Sequence, residues 1–185
     1  LALAPGGIAT LFAMPLAAKL ITKFNPKAVL VSGIFITAYS VFIMSAFNLY
    51  IDFNTVGLSR IIMGIGLGFV FVPLASMAFS TVSKEHMGNA TSIFNLLRNI
   101  SGSFGVATMT TLIARRMQFH QFRLTEQLNP LNYHYQIGMH QAKAVLEASG
   151  AAVNNSASHG IIYRQLIRQA NLFSFNDAFY VSTII

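Results

Sequence analysis

Polar side chains share one face of an otherwise apolar stretch, residues 90–113. On a helical wheel that face carries Thr91, Asn95, Arg98, Asn99, Gly102 and Gly105. Arg98 lies about 12 Å into the helix, at ~1.5 Å per residue. Intramembrane arginines almost always face a bundle interior or a watery cavity. We therefore predict that Asn95, Arg98 and Asn99 belong to a substrate-binding or conformational network; alternatively, Arg98 snorkels to the surface or caps a neighbouring helix.

A second candidate region is "RIIMGIGLGFVFVPL", residues 60–74, in which glycines and a proline interrupt an apolar run. The wheel places Gly64 and Gly68 near Arg60, with Gly66 and Pro73 on the opposite side. Small residues on two sides allow two neighbouring helices to approach closely, so this run is predicted to be a central packed helix. Arg60 marks its outer end and joins the predicted network. The residues assigned to helix packing are Gly64, Gly66, Gly68, Pro73, Gly102 and Gly105.

Asp177, in "FNDAF", lies at the predicted outer start of the last apolar segment. It could join a proton relay and is included in the network. The favoured interpretation is that it interacts with the helix dipole and free N–H groups at a helix N-terminus. The five histidines show no metal-ligand spacing, and no nucleophile–base or paired-carboxylate pattern occurs. We therefore predict that the protein has no catalytic site and no metal site and is not an enzyme.

The composition indicates a membrane environment. Hydrophobic residues make up 54% of the 185-residue chain and charged residues 9%, whereas a typical soluble domain has about 25% charged residues. The net charge is +7, but the basic residues are scattered between apolar stretches rather than gathered on one polar face. We therefore expect no nucleic-acid partner.

Apolar segments of about 20 residues, the length needed to cross a bilayer, recur along the chain. The predicted architecture is an all-α, polytopic transmembrane bundle with spans at 1–21, 28–47, 56–79 and 90–113 and the start of a last span at 174–185. Both ends fall within apolar segments, so we expect a fragment of a longer chain.

Basic residues in short loops indicate which side faces the cytoplasm. Lysines surround the first connection and Lys84 lies in the third, whereas the second has no lysine or arginine and carries Asp52. The first and third connections are therefore predicted inside, which places 114–173 outside. Arg115 and Arg116 argue against this assignment, but long loops cross membranes largely regardless of charge.

The segment 114–173 is predicted to be an extracytoplasmic helical hairpin continuous with the spans on either side. "ARRMQFHQFRLTEQL" extends the fourth helix and "NP" ends it. "YQIGMHQAKAVLEA" resumes the helical period, "GAAVNNSASHG" is predicted to be a loop, and "IIYRQLIRQANLFSF" forms a further helix. The hairpin either docks a partner or is a solvated cap.

The motifs together resemble a known family. The segments "LAPGGIATLFAMPLAAKL", "SRIIMGIGLGFVFVPLA" and "GNATSIFNLLRNISGS" are similar to the last helices of fourteen-helix drug/proton antiporters of the major facilitator superfamily, the EmrB/QacA type. The long hairpin looks most like the EmrB branch. The superfamily's basic loop motif is degenerate here, as "AAKLITKFNPK", with Ala18 and Thr22 in place of its glycine and aspartate.

This resemblance implies a major-facilitator fold and proton-driven multidrug efflux across the inner membrane, with the proton gradient as energy source and no cofactor. It also implies small hydrophobic or cationic drugs as substrates, and a periplasmic adaptor with an outer-membrane channel as partners. The alternative is a major-facilitator exporter of one metabolite or siderophore. A membrane enzyme or scaffold is disfavoured because no catalytic cluster occurs.

Overall fold

The computed structural model describes residues 4–126, 128–129, 131–148 and 155–184, and every regular element in them is a helix. Six α-helices follow one another, with a short 3₁₀ turn, Lys84–His86, before the fourth. They are α1 Ala4–Lys23, α2 Pro26–Ser45, α3 Phe53–Phe79, α4 Met87–Thr125, α5 Tyr133–Ala148 and α6 Asn155–Ile184.

The starts of α2 and α3 follow from local sequence. Asn25 caps α2 by accepting a hydrogen bond from the Lys27 amide at 3.0 Å, and Pro26 occupies the first turn, where its missing N–H costs nothing. Asp52 precedes α3 in an extended conformation. As a result, α3 begins at Phe53, three residues before the predicted start at 56.

The chain forms two compact units. The first contains α1, α2, α3, α4 through Met109 and α6 from Ala178; the second contains α4 from Thr110, α5 and α6 through Asp177. In the first unit, α1 and α2 both pack mainly against α3. Four of its buried apolar residues, Ala13, Ala17, Val29 and Phe69, form one small cluster.

Among the described residues, α1, α2 and α3 are long and apolar enough to cross a membrane. Large apolar side chains such as Phe12 and Phe35 point outward, with 78% and 71% of their surface exposed. Such a surface suits lipid rather than water. The fourth helix is not among these three, because polar and basic residues run along it; its assignment as a span, and that of the last segment, stay predictions.

The loop predicted at 150–160 is partly helical. Residues 150–154 lie outside the described residues, but α6 begins at Asn155. Ser158 is fully buried, and His159 stacks on Tyr135 of α5 with ring centroids 6.1 Å apart. Packing against α5 therefore overrides the loop preference of these small residues.

Candidate functional site

On its α1 side, α3 packs closely against the backbone and small side chains of α1. A Cβ atom at Gly64 would collide with the carbonyl oxygen of Gly6, and one at Gly68 would lie 2.7 Å from Ala13 Cβ. The Thr10 hydroxyl donates to both Gly6 O at 2.9 Å and Gly64 O at 3.1 Å, so it bridges the two helices. Only glycine fits at positions 64 and 68 unless α1 moves.

The α2 side of α3 is packed in the same way. A Cβ atom at Gly66 would lie 2.8 Å from the Thr37 amide nitrogen, and one at Gly33 of α2 would lie 2.7 Å from the carbonyl carbon of Phe69. Pro73 is fully buried inside α3. The structure thus places α3 between α1 and α2, with Gly64 and Gly68 toward one neighbour and Gly66 toward the other.

One buried hydrogen bond joins α2 and α3. The Ser40 hydroxyl donates to the Ser59 carbonyl oxygen at 2.7 Å, and both residues are essentially inaccessible to solvent. Small hydroxyl side chains of this kind let helix backbones approach while satisfying a polar group. This contact was not predicted from the sequence, because serines are common in apolar helices and nothing in their spacing singles out these two.

Arg60 lies on α3 beside a cleft of about 220 Å³ that is lined by Gly6, Gly7, Thr10 and Leu67, among others. Its Nε is buried without a hydrogen-bond partner, and its nearest polar contact is Met63 Sδ, 3.9 Å from Nη1. Within the described part of the chain, no carboxylate forms an ion pair with it. A partly buried cation without a counter-ion is costly, so this arginine is a candidate member of the predicted conformational network.

The guanidinium of Arg98 on α4 contacts an aromatic side chain of α3. The Arg98 Cζ lies 4.6 Å above the centroid of the Phe71 ring, a cation–π contact. Arg98 also lines an open groove together with Asn99, Gly102 and Ser103. The structure therefore brings Arg98 and Asn99 to one groove, while Arg60 borders a different cleft on α3.

The remaining residues of the polar face have few neighbours. Asn95 is exposed on α4. A Cβ placed at Gly102 or Gly105 would meet no atom of the described residues within 4 Å beyond the adjoining backbone of α4 itself. Their assignment to helix packing stays a prediction.

The interpretation of Asp177 as a residue at a helix N-terminus is wrong. Asp177 lies deep inside α6, which begins at Asn155. The backbone N–H groups around it already take part in helical hydrogen bonds, so they are not free to bind its carboxylate. Its Oδ2 instead lies 2.9 Å from His120 Nε2 and 3.6 Å from Arg116 Nε. This cluster belongs to the second unit, whereas the other network residues belong to the first.

Sequence reasoning missed His120 as a partner of Asp177. Arg116 and His120 are four residues apart, which places both on one face of α4. The sequence shows this spacing directly. It does not show that this face of α4 packs against α6, because His120 and Asp177 are 57 positions apart in the chain. In the described residues, no three His, Asp or Glu side chains are grouped so as to hold a metal ion.

Apolar helices packed through glycine, with arginines on their polar faces, define a multi-pass α-helical membrane protein. The family model for the Major Facilitator Superfamily matches residues 1–106. The chain belongs to the Major Facilitator Superfamily, a family of membrane transporters rather than enzymes. The predicted all-α class, the multi-pass inner-membrane location and the resemblance to EmrB-type transporters are confirmed.

Several curated relatives match nearly the whole chain. It is 28% identical to the Multidrug export protein EmrB of Escherichia coli K12 over 98% of its length, and 26% identical to the Colistin resistance protein EmrB of Acinetobacter baumannii over 97%. It is also 26% identical to the Fatty acid resistance protein FarB of Neisseria gonorrhoeae over its full length. The chain spans about a third of each relative, 35%. No solved structure matches it significantly.

Proposed function

We propose that this chain is part of a proton-driven multidrug efflux transporter that exports small hydrophobic or cationic drugs across the inner membrane. The observation that carries the proposal is the pair of arginines, Arg60 and Arg98, that border open clefts on membrane helices without an ion-pair partner in the described residues. Polar and charged residues inside membrane proteins commonly mark substrate or ion pathways. The names of the export and resistance relatives support the same class of activity.

The packing of α3 supports a conformational role. Transporters of this kind work by rigid-body rocking of helix bundles, and such motion needs helices that move as one body. The close contacts of Gly64, Gly66 and Gly68 join α1, α2 and α3 into such a body. Arg98 of α4 contacts this body through Phe71 of α3, so a movement of α4 against α3 would change that contact.

We further propose that the second unit lies outside the membrane and docks a periplasmic adaptor that leads to an outer-membrane channel. The unit is compact and far longer than an ordinary connection of ~4–6 residues, which usually indicates function. Several of its large apolar side chains are exposed, including Phe122 and Leu131 at 66% and 87%. These side chains offer contact area to a partner.

Accumulation of a fluorescent cationic drug in cells tests the proposed efflux. Cells that express the full-length protein should accumulate less drug than cells with an empty vector, and a protonophore should abolish the difference. A panel of unrelated drugs separates multidrug efflux from the narrower alternative. Export of a single metabolite or siderophore, with no drug exported, would contradict the multidrug proposal.

A further inference from the structure

We propose that His120, Asp177 and Arg116 form a proton-binding site in the second unit, in which one proton taken up by His120 strengthens the contact between α4 and α6. Asp177 was included in the predicted network, whereas the other members of that network, on α3 and α4, belong to the first unit. Its ligand is the proton itself, so no additional cofactor is needed.

The geometry brings three ionisable groups to one oxygen atom. Asp177 Oδ2 on α6 lies 2.9 Å from His120 Nε2 and 3.6 Å from Arg116 Nε, both on α4. The first distance is that of a hydrogen bond in either protonation state of the imidazole. Phe119 and Phe173 flank the His120 ring, each with its centroid 5.5 Å away. The imidazole is thus held in place by one polar contact and two aromatic contacts.

Protons from solvent can reach the site. The side chains of His120, Asp177 and Arg116 are 21%, 35% and 45% exposed. The imidazole is therefore the least exposed of the three but remains partly accessible, and histidine is the side chain whose charge ordinarily changes between roughly pH 5 and pH 8.

The charge balance explains why protonation strengthens the contact. With Asp177 ionised and Arg116 charged, the cluster is neutral overall while His120 is neutral. Protonation adds one positive charge beside the carboxylate and converts a hydrogen bond from a neutral donor into one between two charged groups. Because the carboxylate is already charged, the bond is charge-assisted in both states of His120. Protonation adds the Coulomb attraction between two unit charges, and repulsion from Arg116, which contacts the same oxygen, offsets part of it. Because the three side chains are partly exposed, solvent screens this added attraction. We therefore expect the contact between α4 and α6 to strengthen modestly on protonation.

The second unit contains further polar contacts between its helices and a further charged group on α4. Arg123 of α4 lies over the Phe119 ring, 5.2 Å from Cζ to centroid. Gln121 of α4 donates to the Tyr163 hydroxyl of α6 at 2.9 Å. A second histidine contact, between His159 of α6 and Tyr135 of α5 at 2.9 Å, also contains a titratable imidazole. Any test must therefore separate His120 from His159.

Distance measurements between spin labels on the full-length protein test the proposal. Labels at Q118C on α4 and F175C on α6 occupy exposed positions on the two helices that the cluster joins; native cysteines elsewhere in the full-length chain are first replaced. The distance distribution should be narrower at about pH 5.5 than at about pH 8, which bracket the imidazole titration range. His120→Gln should lose this response, whereas the matched variant His159→Gln should retain it.

A second variant keeps the test decisive if His120→Gln fails to fold. His120→Arg carries a permanent positive charge and should give a narrow distribution at both pH values. A pH response that persists in His120→Gln or His120→Arg, or that is absent from the unmodified protein, would overturn the proposal. The measurement needs no transport, so its outcome is independent of whether efflux is found.

Discussion

Gly64 of α3 lies directly against the backbone carbonyl of Gly6 of α1, so closely that a Cβ atom at position 64 would collide with that oxygen. The two glycines, one from each helix, therefore form a single close contact between the helix backbones. Thr10 fixes the contact by donating to the carbonyl oxygens of both residues. Backbone contact of this kind, rather than a large apolar core, holds the first unit together.

The first prediction concerns glycine packing on α3. Gly68→Ala would place a methyl group 2.7 Å from Ala13 Cβ, well below the ~3.5–4.0 Å of an ordinary carbon contact. Overpacking of this kind costs roughly 1–3 kcal/mol. Thermal unfolding of the purified full-length protein should show a lower Tm for this variant.

Gly57→Ala is the matched control on the same helix, because a Cβ there meets no atom within 4 Å. Alanine should be tolerated at this position and can gain up to ~1 kcal/mol in helix propensity. Equal loss of Tm in Gly57→Ala and Gly68→Ala would refute the packing argument.

The second prediction concerns the buried hydrogen bond between α2 and α3. Ser40→Ala removes the donor to the Ser59 carbonyl oxygen. Hydrogen bonds between membrane helices contribute on average ~0.6 kcal/mol and at most ~1.7 kcal/mol, so a small but measurable loss of unfolding free energy is expected. The control Ser45→Ala removes only an exposed bond within α2 to Phe42 O and should be neutral. A loss as large in the control would show that the interhelical contact is unimportant.

The third prediction concerns Arg98. Arg98→Ala removes the cation–π contact of an exposed arginine with Phe71, worth about 0.5–1 kcal/mol, and should reduce drug efflux severalfold at unchanged membrane abundance. Arg98→Lys should retain part of the activity if charge matters more than the planar guanidinium. Arg164→Ala, on the exposed surface of α6, should leave efflux unchanged. Normal efflux by Arg98→Ala would remove Arg98 from the proposed network.

The fourth prediction concerns the hairpin. Replacing residues 133–159 with a flexible linker removes α5 and the start of α6, and should abolish both cross-linking to the adaptor and export across the outer membrane. Transport by the protein alone in reconstituted vesicles should continue, because the first unit is untouched. Undiminished cross-linking in the shortened protein would contradict adaptor docking by this segment.

Local sequence was a good guide to the helices. The length of the apolar segments indicated α1, α2 and α3 to within three residues of their observed ends, apart from the chain's first residues. The positions of glycine and proline within residues 60–74 indicated that α3 is packed on two sides. These features are local because they depend on residues one or two turns apart, which the sequence displays directly.

Contacts between distant segments were not predictable in the same way. The wheel separated Gly66 from Gly64 and Gly68, but it could not tell that Gly66 faces Thr37 and Gly64 faces Gly6. Asp177 was misinterpreted because α6 starts well before the apolar segment, at Asn155. Hydropathy marks where a helix enters lipid, and the helix itself continues as long as its backbone hydrogen bonds do.

Drug-coupled proton movement in vesicles that contain only the purified full-length protein tests the central claim most directly. With a pH-sensitive dye inside and a proton gradient imposed, addition of a transported cationic drug should accelerate proton flux in the direction opposite to drug movement. Arg98→Ala should weaken this response, and vesicles without protein should show none. Drug transport that proceeds at the same rate without a proton gradient, and without drug-coupled proton flux, would contradict proton-driven efflux.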